Sequence, residues 1–378
     1  MNQAGKQGIL EWAKAYLPRL RLNQLIRKPL LFWRLGRALL AARISHQPKI
    51  VGVDFSFTPT CNLKCDHCYT TAFGTQNPGM GSFFLQLDQM KAILKKCVDA
   101  GVITFTFQGG EPLLFAAELK ELIKVCKPRR SFIQIITNGT MATEEKLKDL
   151  KAHGLDGVCV SIDSFDPQSH DKFRGVPGTF DKAWKCLEIS KKLGLATSIA
   201  TTVWKETVRT PELVKLFEYA TQQDIGMQIF IGQMSGNWRE RQENILDPDD
   251  IRWLDELYQK NRKIKRDLYN NFTFTGCPAF KTSLYITPEG EVIPCPFIHI
   301  SFGNLLESSF EEIVTRARQL DFFRDFAAAP KCLSAEDPVF IEKYLSKTFG
   351  EGKTLPIDYR EAFPELAKEK PGDMGYET

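Results

Sequence analysis

Between residues 50 and 231 short β-branched and aromatic runs alternate with longer amphipathic ones. The runs IVGVDFSF, VITFTF, FIQIIT, GVCVSID, ATSIATTV and GMQIFI predict six strands. Between them, apolar positions recurring every three to four residues predict helices over 85–100, 115–127, 143–153, 179–193 and 211–223. Several of these helices carry end signals. Thr143 is an N-cap with Glu144 and Glu145 in the first turn, Gly101 and Gly194 are stops, and Pro211 is a first-turn residue. Strands separated by helices pair in parallel through right-handed crossovers, so the pattern predicts an α/β fold built as an open or partial (β/α)6 barrel over 50–235. Chemistry is then expected in the loops at the C-terminal ends of the strands.

Beyond the barrel, LDPDDIRWLDELYQKNRKIKRDL reads as one more helix, capped by Asp247 with Pro248 at its first position, inside a connecting segment 236–271. The texture then changes to two short strand-like runs around a PEG turn, which marks a second module at 272–332. Residues 333–378 are polar and Pro-containing and read as a loose tail with a short helix. In front of the barrel, residues 1–49 form a basic arm whose segment 28–44, KPLLFWRLGRALLAARI, predicts a helix. It sets Leu31, Phe32, Leu35 and Leu39 against Arg34 and Arg37. Such a helix either docks on the barrel and covers its open edge or lies in a membrane interface, which would make the protein peripheral at the inner membrane face.

Charge sharpens this division. The whole chain carries +4, but the arm alone has ten Lys or Arg against the single acid Glu11, which leaves the remainder net acidic. The basic character belongs to the arm, and the body has no evident affinity for nucleic acid. Arg34, Arg37 and Arg43 interrupt the most apolar stretch, so no membrane span and no secretory signal is predicted. Ten cysteines in 378 residues are too sparse for a small disulfide scaffold, and a reducing cytoplasm is the expected compartment. There, clustered cysteines point to metal or catalysis.

Three thiols do cluster. CNLKCDHCY, residues 61–69, places Cys61, Cys65 and Cys68 in the loop that leaves the first strand. Thiolates suit zinc or iron-sulfur clusters. Structural zinc wants four protein ligands, and His67 is a poor fourth because it adjoins Cys68. A 4Fe-4S cube held by three thiolates keeps one iron free for a small molecule. After the second strand comes GGEP, Gly109 to Pro112, where two glycines permit close backbone approach to a ligand.

CNLKCDHCY and GGEP, in this order on successive strand ends, resemble the cluster motif and cosubstrate-binding segment of the radical S-adenosylmethionine (radical SAM) superfamily. The resemblance implies a TIM-type partial barrel, a 4Fe-4S cluster on Cys61, Cys65 and Cys68, and S-adenosylmethionine bound at its open iron. It implies that Gly109, Gly110, Glu111 and Pro112 hold the methionine amino group. ITNGT brings Asn138 to the end of the third strand and VSIDS brings Ser161 and Asp163 to the end of the fourth. By the same resemblance Ser161 and Arg174 would meet the cosubstrate's carboxylate, and Thr202 or Val203 would lie near its adenosine; the competing readings are turn caps for Asn138 and Asp163 and a surface ion pair for Arg174. The implied activity is reductive cleavage to a 5'-deoxyadenosyl radical that abstracts hydrogen from a substrate, with flavodoxin or ferredoxin as electron donor.

CPAFKTSLYITPEGEVIPC resembles the hairpin that opens the auxiliary-cluster modules called SPASM and twitch. Only Cys332 follows, so the resemblance implies the shorter twitch form, with one auxiliary 4Fe-4S cluster on Cys277, Cys295 and Cys332 and His299 a candidate fourth ligand. Cys97, Cys126, Cys159 and Cys186 fall on periodic positions that suit core packing. Cys159 shares a strand face with Ser161, which also makes it a candidate hydrogen-atom donor to a product radical. Glu206, Gln228, Gln233 and Asn237 sit at or beyond strand ends and are candidate pocket residues. The arm is unlike a peptide-leader domain, so the favoured substrate is a small or lipid-linked molecule undergoing dehydrogenation, epimerisation or a related modification. A ribosomal peptide is the alternative, and a non-catalytic metal-binding scaffold is the alternative of another class.

Overall fold

The computed structural model describes residues 28–45, 48–74, 85–261, 263–266, 276–350 and 352–366. The six predicted strands form as β1 (Gly52–Thr58), β2 (Thr104–Gly109), β3 (Phe132–Thr137), β4 (Gly157–Ser161), β5 (Ala196–Val203) and β6 (Gly226–Ile231). All are parallel and lie in chain order. The crossover helices Leu87–Asp99, Ala116–Val125, Glu144–His153, Thr179–Lys192 and Pro211–Gln222 fall within a few residues of their expected ends. Thr143 Oγ1 accepts the Lys146 N–H at 3.1 Å, and Gly101 and Gly194 turn the chain at positive φ, as their sequence positions predict. Apolar residues such as Val158, Val160, Ile199 and Val203 face the helix layer and form one continuous core. Alternate residues, among them Ser161, Ala200 and Thr202, face the barrel interior.

The sheet runs to nine strands, β7-β6-β5-β4-β3-β2-β1-β8-β9, in keeping with a partial TIM-type barrel. β7 (Ile264–Arg266) lies inside the segment read as helix as far as Leu268. That helix, Pro248–Lys260, starts as expected, with Asp247 accepting the Asp249 and Asp250 N–H groups at 2.9 Å, but it ends at extended Asn261. Asn261 Oδ1 then accepts from the Lys263 N–H, and Ile264 buries its side chain as the chain pairs with β6. The basic sequence NRKIKR looks solvated. In fact Arg266 is buried between Asp255 and Glu336.

β8 (Ser283–Ile286) and β9 (Val292–Ile293) are the PEG-turn hairpin, and β8 pairs in parallel with β1. The second module therefore continues the barrel's own sheet. The stretch read as a loose tail packs as well: β11 (Ile357–Asp358) pairs with β10 (Ile300–Ser301), and Phe340, Tyr344 and Phe363 are buried against Phe322 and Phe323. Its aromatics are spaced without period, so each acts as a separate anchor that hydrophobic patterning does not register.

The arm helix, Pro29–Ser45, docks, but not on an open edge. Leu31 and Leu35 bury against Val51 and Ile103, Arg34 donates to the carbonyl oxygens of Arg130 and Val102, and Lys28 pairs with Asp156 at 2.5 Å. All of these partners precede the strands, so the helix closes the N-terminal end of the barrel. The side chains of Phe32 and Leu39, and residues 1–27, lie outside the described residues. Among the described residues no helix is long and apolar enough to cross a membrane.

Candidate active site

The C-terminal ends of β1 to β6 surround a cleft. Cys61, Cys65 and Cys68 line it, together with Gly109, Gly110, Asn138, Ser161, Arg174 and Thr202. Pro296 and Phe297, directly after Cys295, close it from the second module. Residues from six strand ends and from the module thus meet in one concavity.

Three contacts shape the thiol loop. GGEP runs beside it: the Gly110 N–H donates to the Thr58 carbonyl and the Glu111 N–H to that of Thr60, both at 2.8 Å. A Cβ at Gly110 would lie 1.9 Å from the Thr60 oxygen, so the backbones meet only because glycine stands there. The helix Pro167–Arg174 ends against the loop on the other side, where the carbonyls of Arg174 and Phe173 accept the Lys64 and Asp66 N–H groups. From above, Asn237 donates its backbone N–H to the Cys68 carbonyl at 3.1 Å and Nδ2 to that of Cys65 at 3.0 Å, while Trp238 Nε1 donates to Asp66 at 2.8 Å. Asn237 was anticipated only as a pocket residue, and Trp238 was not anticipated. Their one signal is the GN turn after β6.

Polar groups reach all three sulfurs. The Leu63 N–H lies 3.4 Å from Cys61 Sγ and Asn138 Nδ2 3.9 Å from it, Arg174 Nη1 lies 3.8 Å from Cys65 Sγ, and Thr70 Oγ1 3.1 Å from Cys68 Sγ. Burial pushes the Cys61 thiol well up and that of Cys65 up to about 11, with Arg174 opposing the rise at Cys65. Thiolates here need a cation, which an iron cluster supplies.

Arg174 is no surface ion pair. Its Nε donates to Asp163 Oδ2 at 2.7 Å, and both side chains are buried. Burial alone would raise the Asp163 pKa, but Arg174, His67, His170 and the Thr202 N–H at 3.0 Å outweigh it and hold the carboxyl below its ordinary range. The ring of His67 stacks on Phe173 at 4.4 Å, burial pulls its pKa down to about 3, and its Nδ1 has no hydrogen-bond partner among the described residues.

Several anticipated residues stand behind the cleft. Glu111 is fully buried and accepts from Thr137 Oγ1 at 2.6 Å and from the Asn138 N–H at 2.8 Å, which ties the end of β2 to the end of β3. Pro112 starts the turn that Glu111 caps. Val203 points into the helix layer, and its carbonyl accepts the Gly232 N–H. Cys159 is buried deeper in the strand than the cleft-lining Ser161. Glu206 is exposed, Gln228 is not among the cleft-lining residues, and Gln233 is one of them.

In the second module burial pushes the Cys295 and Cys332 thiols up; Cys277 and Cys332 add to the rise at Cys295, and Glu336 and Cys277 to that at Cys332, which places the three sulfurs near one another. Ser334 Oγ lies 3.4 Å from Cys332 Sγ and bonds Gln233 at the cleft wall. His299 is turned elsewhere: its Nε2 meets the Pro296 carbonyl at 2.9 Å and its ring packs on Phe73. Among the described residues no three His, Cys, Asp or Glu side chains close around a single metal ion. Tetrahedral zinc would need sulfurs within roughly 4 Å of one another. Thiolate-only trios are the donor chemistry of iron-sulfur clusters.

A parallel barrel with three thiols at its mouth and a second trio beside the same cleft defines an iron-sulfur protein of the cluster-and-cosubstrate kind. Residues 55–217 match the model of the radical SAM superfamily and residues 277–334 that of SPASM, an iron-sulfur cluster-binding domain. The chain therefore carries a radical SAM domain, a kind that binds a 4Fe-4S cluster and S-adenosylmethionine, and a SPASM-type module, a kind that binds auxiliary iron-sulfur clusters. It is 25% identical over 313 residues to the AdoMet-dependent heme synthase of Methanosarcina barkeri, covering 75% of this chain and 86% of that protein. It is 28% identical over 282 residues to the subtilosin biosynthesis protein AlbA of Bacillus subtilis, covering 70% and 60%. In fold it resembles Streptococcus suis SuiB bound to its precursor peptide SuiA, with a TM-score of 0.57, 14% identity and 84% and 77% coverage.

Proposed function

We propose that this protein uses the cleft for hydrogen abstraction from a small molecule, with an oxidised or rearranged product. The observation that carries the reading is the meeting of three thiols, the glycine-lined end of β2 and a buried Asp163–Arg174 pair in one cleft. When bound, the cluster and S-adenosylmethionine supply a 5'-deoxyadenosyl radical, given one electron from a flavodoxin- or ferredoxin-type donor. Cys61, Cys65 and Cys68 would hold that cluster. Gly109, Gly110, Asn138, Ser161 and Thr202 would line the cosubstrate. Arg174 would present its guanidinium to the cosubstrate carboxylate, with Asp163 fixing its plane. Glu111, Pro112 and Val203 act from behind, by holding strand ends. Cys277, Cys295 and Cys332 would hold one auxiliary 4Fe-4S cluster in a twitch-like arrangement, and Phe297 would bring it to the substrate end of the cleft. For Cys159 we favour packing, since it lies below the residues that line the cleft.

A small substrate is supported by the enclosure of the cleft, which Pro296 and Phe297 of the second module close from one side. It is also supported by the heme synthases, which this chain matches over most of their length. A peptide is the second reading, favoured by the similarity to AlbA. Reduced, reconstituted enzyme supplied with deuterated candidates separates the two. Transfer of deuterium into 5'-deoxyadenosine from a small molecule and from none of the peptides supports the first reading, and transfer from a peptide replaces it.

We further propose that the arm helix rests on an anionic membrane surface. Its outward side exposes Leu30, Trp33 and Leu40, and Arg37 stacks on Trp33 at 4.7 Å, an apolar and cationic stripe suited to a lipid interface. That side lies at the opposite end of the barrel from the cleft, a strand length of about 20 Å away. A substrate arriving from the aqueous side is the simpler geometry, which weighs against a lipid-linked one. Sedimentation with phosphatidylglycerol vesicles should carry the wild type down. Trp33→Ser with Leu40→Ser should weaken the partition on the order of tenfold or more, from the lost apolar burial. Equal binding to neutral vesicles, or none to anionic ones, contradicts the assignment.

A further inference from the structure

Next to Cys277 the fold buries a lysine that the proposed chemistry does not use. Lys281 has no solvent exposure. It sits in a tight turn whose N–H groups at Lys281, Thr282 and Ser283 all converge on the Pro278 carbonyl, while the Cys277 N–H is fixed by the Ala329 carbonyl at 2.9 Å. The turn points the Lys281 ammonium inward, at 2.5 Å from the Phe322 carbonyl and 5.3 Å from the centre of the Phe326 ring. Among the described residues no carboxylate pairs with it. A second cation adjoins: Arg318 donates to the carbonyls of Phe280, Lys281 and Pro48, and it too has no carboxylate partner among the described residues.

An ammonium buried with only a carbonyl and an aromatic face is unfavourable by several kcal/mol unless an anion compensates it. Burial pulls the pKa of Lys281 down, and the leading opposing influence is Cys277, ahead of Asp325. The cleft cluster site is different, because its buried cation Arg174 already has Asp163. We propose that Lys281 is the counter-charge of the auxiliary cluster and raises its reduction potential. A cube held by three thiolates carries net negative charge, reduction makes it more negative, and a fixed cation in a low-dielectric site favours the reduced form. A cluster held at higher potential is suited to accepting an electron at the substrate end of the cleft. The inference rests on the reading of Cys277, Cys295 and Cys332 as cluster ligands.

Potentiometric EPR titration of the reconstituted full chain tests both, with Lys281→Met, Lys281→Gln and a Cys277→Ala/Cys295→Ala/Cys332→Ala variant. In both lysine variants the ratio of reduced to oxidised auxiliary cluster at a fixed potential should fall roughly tenfold, equivalent to about 59 mV for one electron. The cleft cluster should titrate unchanged, and the metal-free protein should melt no lower than the wild type because an uncompensated charge has been removed. An unshifted auxiliary potential with a lower melting temperature overturns the proposal and leaves Lys281 as a strut for Phe322. Two clusters surviving in the triple cysteine variant overturn the ligand reading instead.

Discussion

Cys65→Ala is expected to reduce 5'-deoxyadenosine formation to the background of cluster-free protein and to remove about half of the bound iron, the share of one of two like clusters. Cys65 is the central thiol of the loop: its carbonyl is gripped by Asn237, its sulfur faces Arg174, and its burial keeps it a neutral thiol unless a cation stabilises the thiolate. Two remaining thiols do not retain a cube. The second trio lies on another loop and should keep its iron. Chromatography of the deoxynucleoside and an iron assay on one preparation give both readouts. Undiminished deoxynucleoside formation would show that the cleft is not where the cosubstrate is cleaved.

The next largest effect concerns the Asp163–Arg174 pair. Asp163→Asn leaves a buried guanidinium without its anion, and breaking such a pair costs about 3–5 kcal/mol. The expected result is a clear drop in melting temperature together with weaker S-adenosylmethionine binding. Asp163→Leu combined with Arg174→Met should recover much of the stability, because no charge is left stranded, but not the binding. That divergence separates a role in holding the cosubstrate from a role in folding alone. The pH dependence has a defined sign. The folded pKa of Asp163 is depressed, so its contribution is full above its unfolded value of about 3.9 and fades as the pH falls through the lower folded value. Acid unfolding of the wild type below about pH 4 should therefore be less steep in Asp163→Asn.

Much of the site was legible because chemistry and topology coincide in the chain. Strands of period two separated by capped helices define the parallel sheet, and cysteines and glycines directly after the first two strands can only lie at its C-terminal rim. Other features depend on contacts that a linear pattern does not carry. Arg174 was read as a cosubstrate ligand or a surface pair, and the fold adds that Asp163, eleven residues earlier, orients it from within the core. Glu111 belongs to the motif, yet its carboxylate serves Thr137 and Asn138 behind the cleft. β7 was hidden because Lys265 and Arg266 suggest solvent, while pairing with β6 and two carboxylate partners for Arg266 make burial favourable. Phe340, Tyr344 and Phe363 were hidden in a polar stretch because aromatic anchors need no periodicity.

The central claim is that the three-thiol loop holds a cluster whose open iron takes S-adenosylmethionine. EPR spectra of anaerobically reconstituted, reduced protein, recorded with and without that compound, test it most directly. The account predicts that the cosubstrate changes the g values and line shape of the signal lost in Cys65→Ala, while the signal lost in the Cys277, Cys295 and Cys332 variant stays the same. A Cys65-dependent signal identical in both spectra would contradict it.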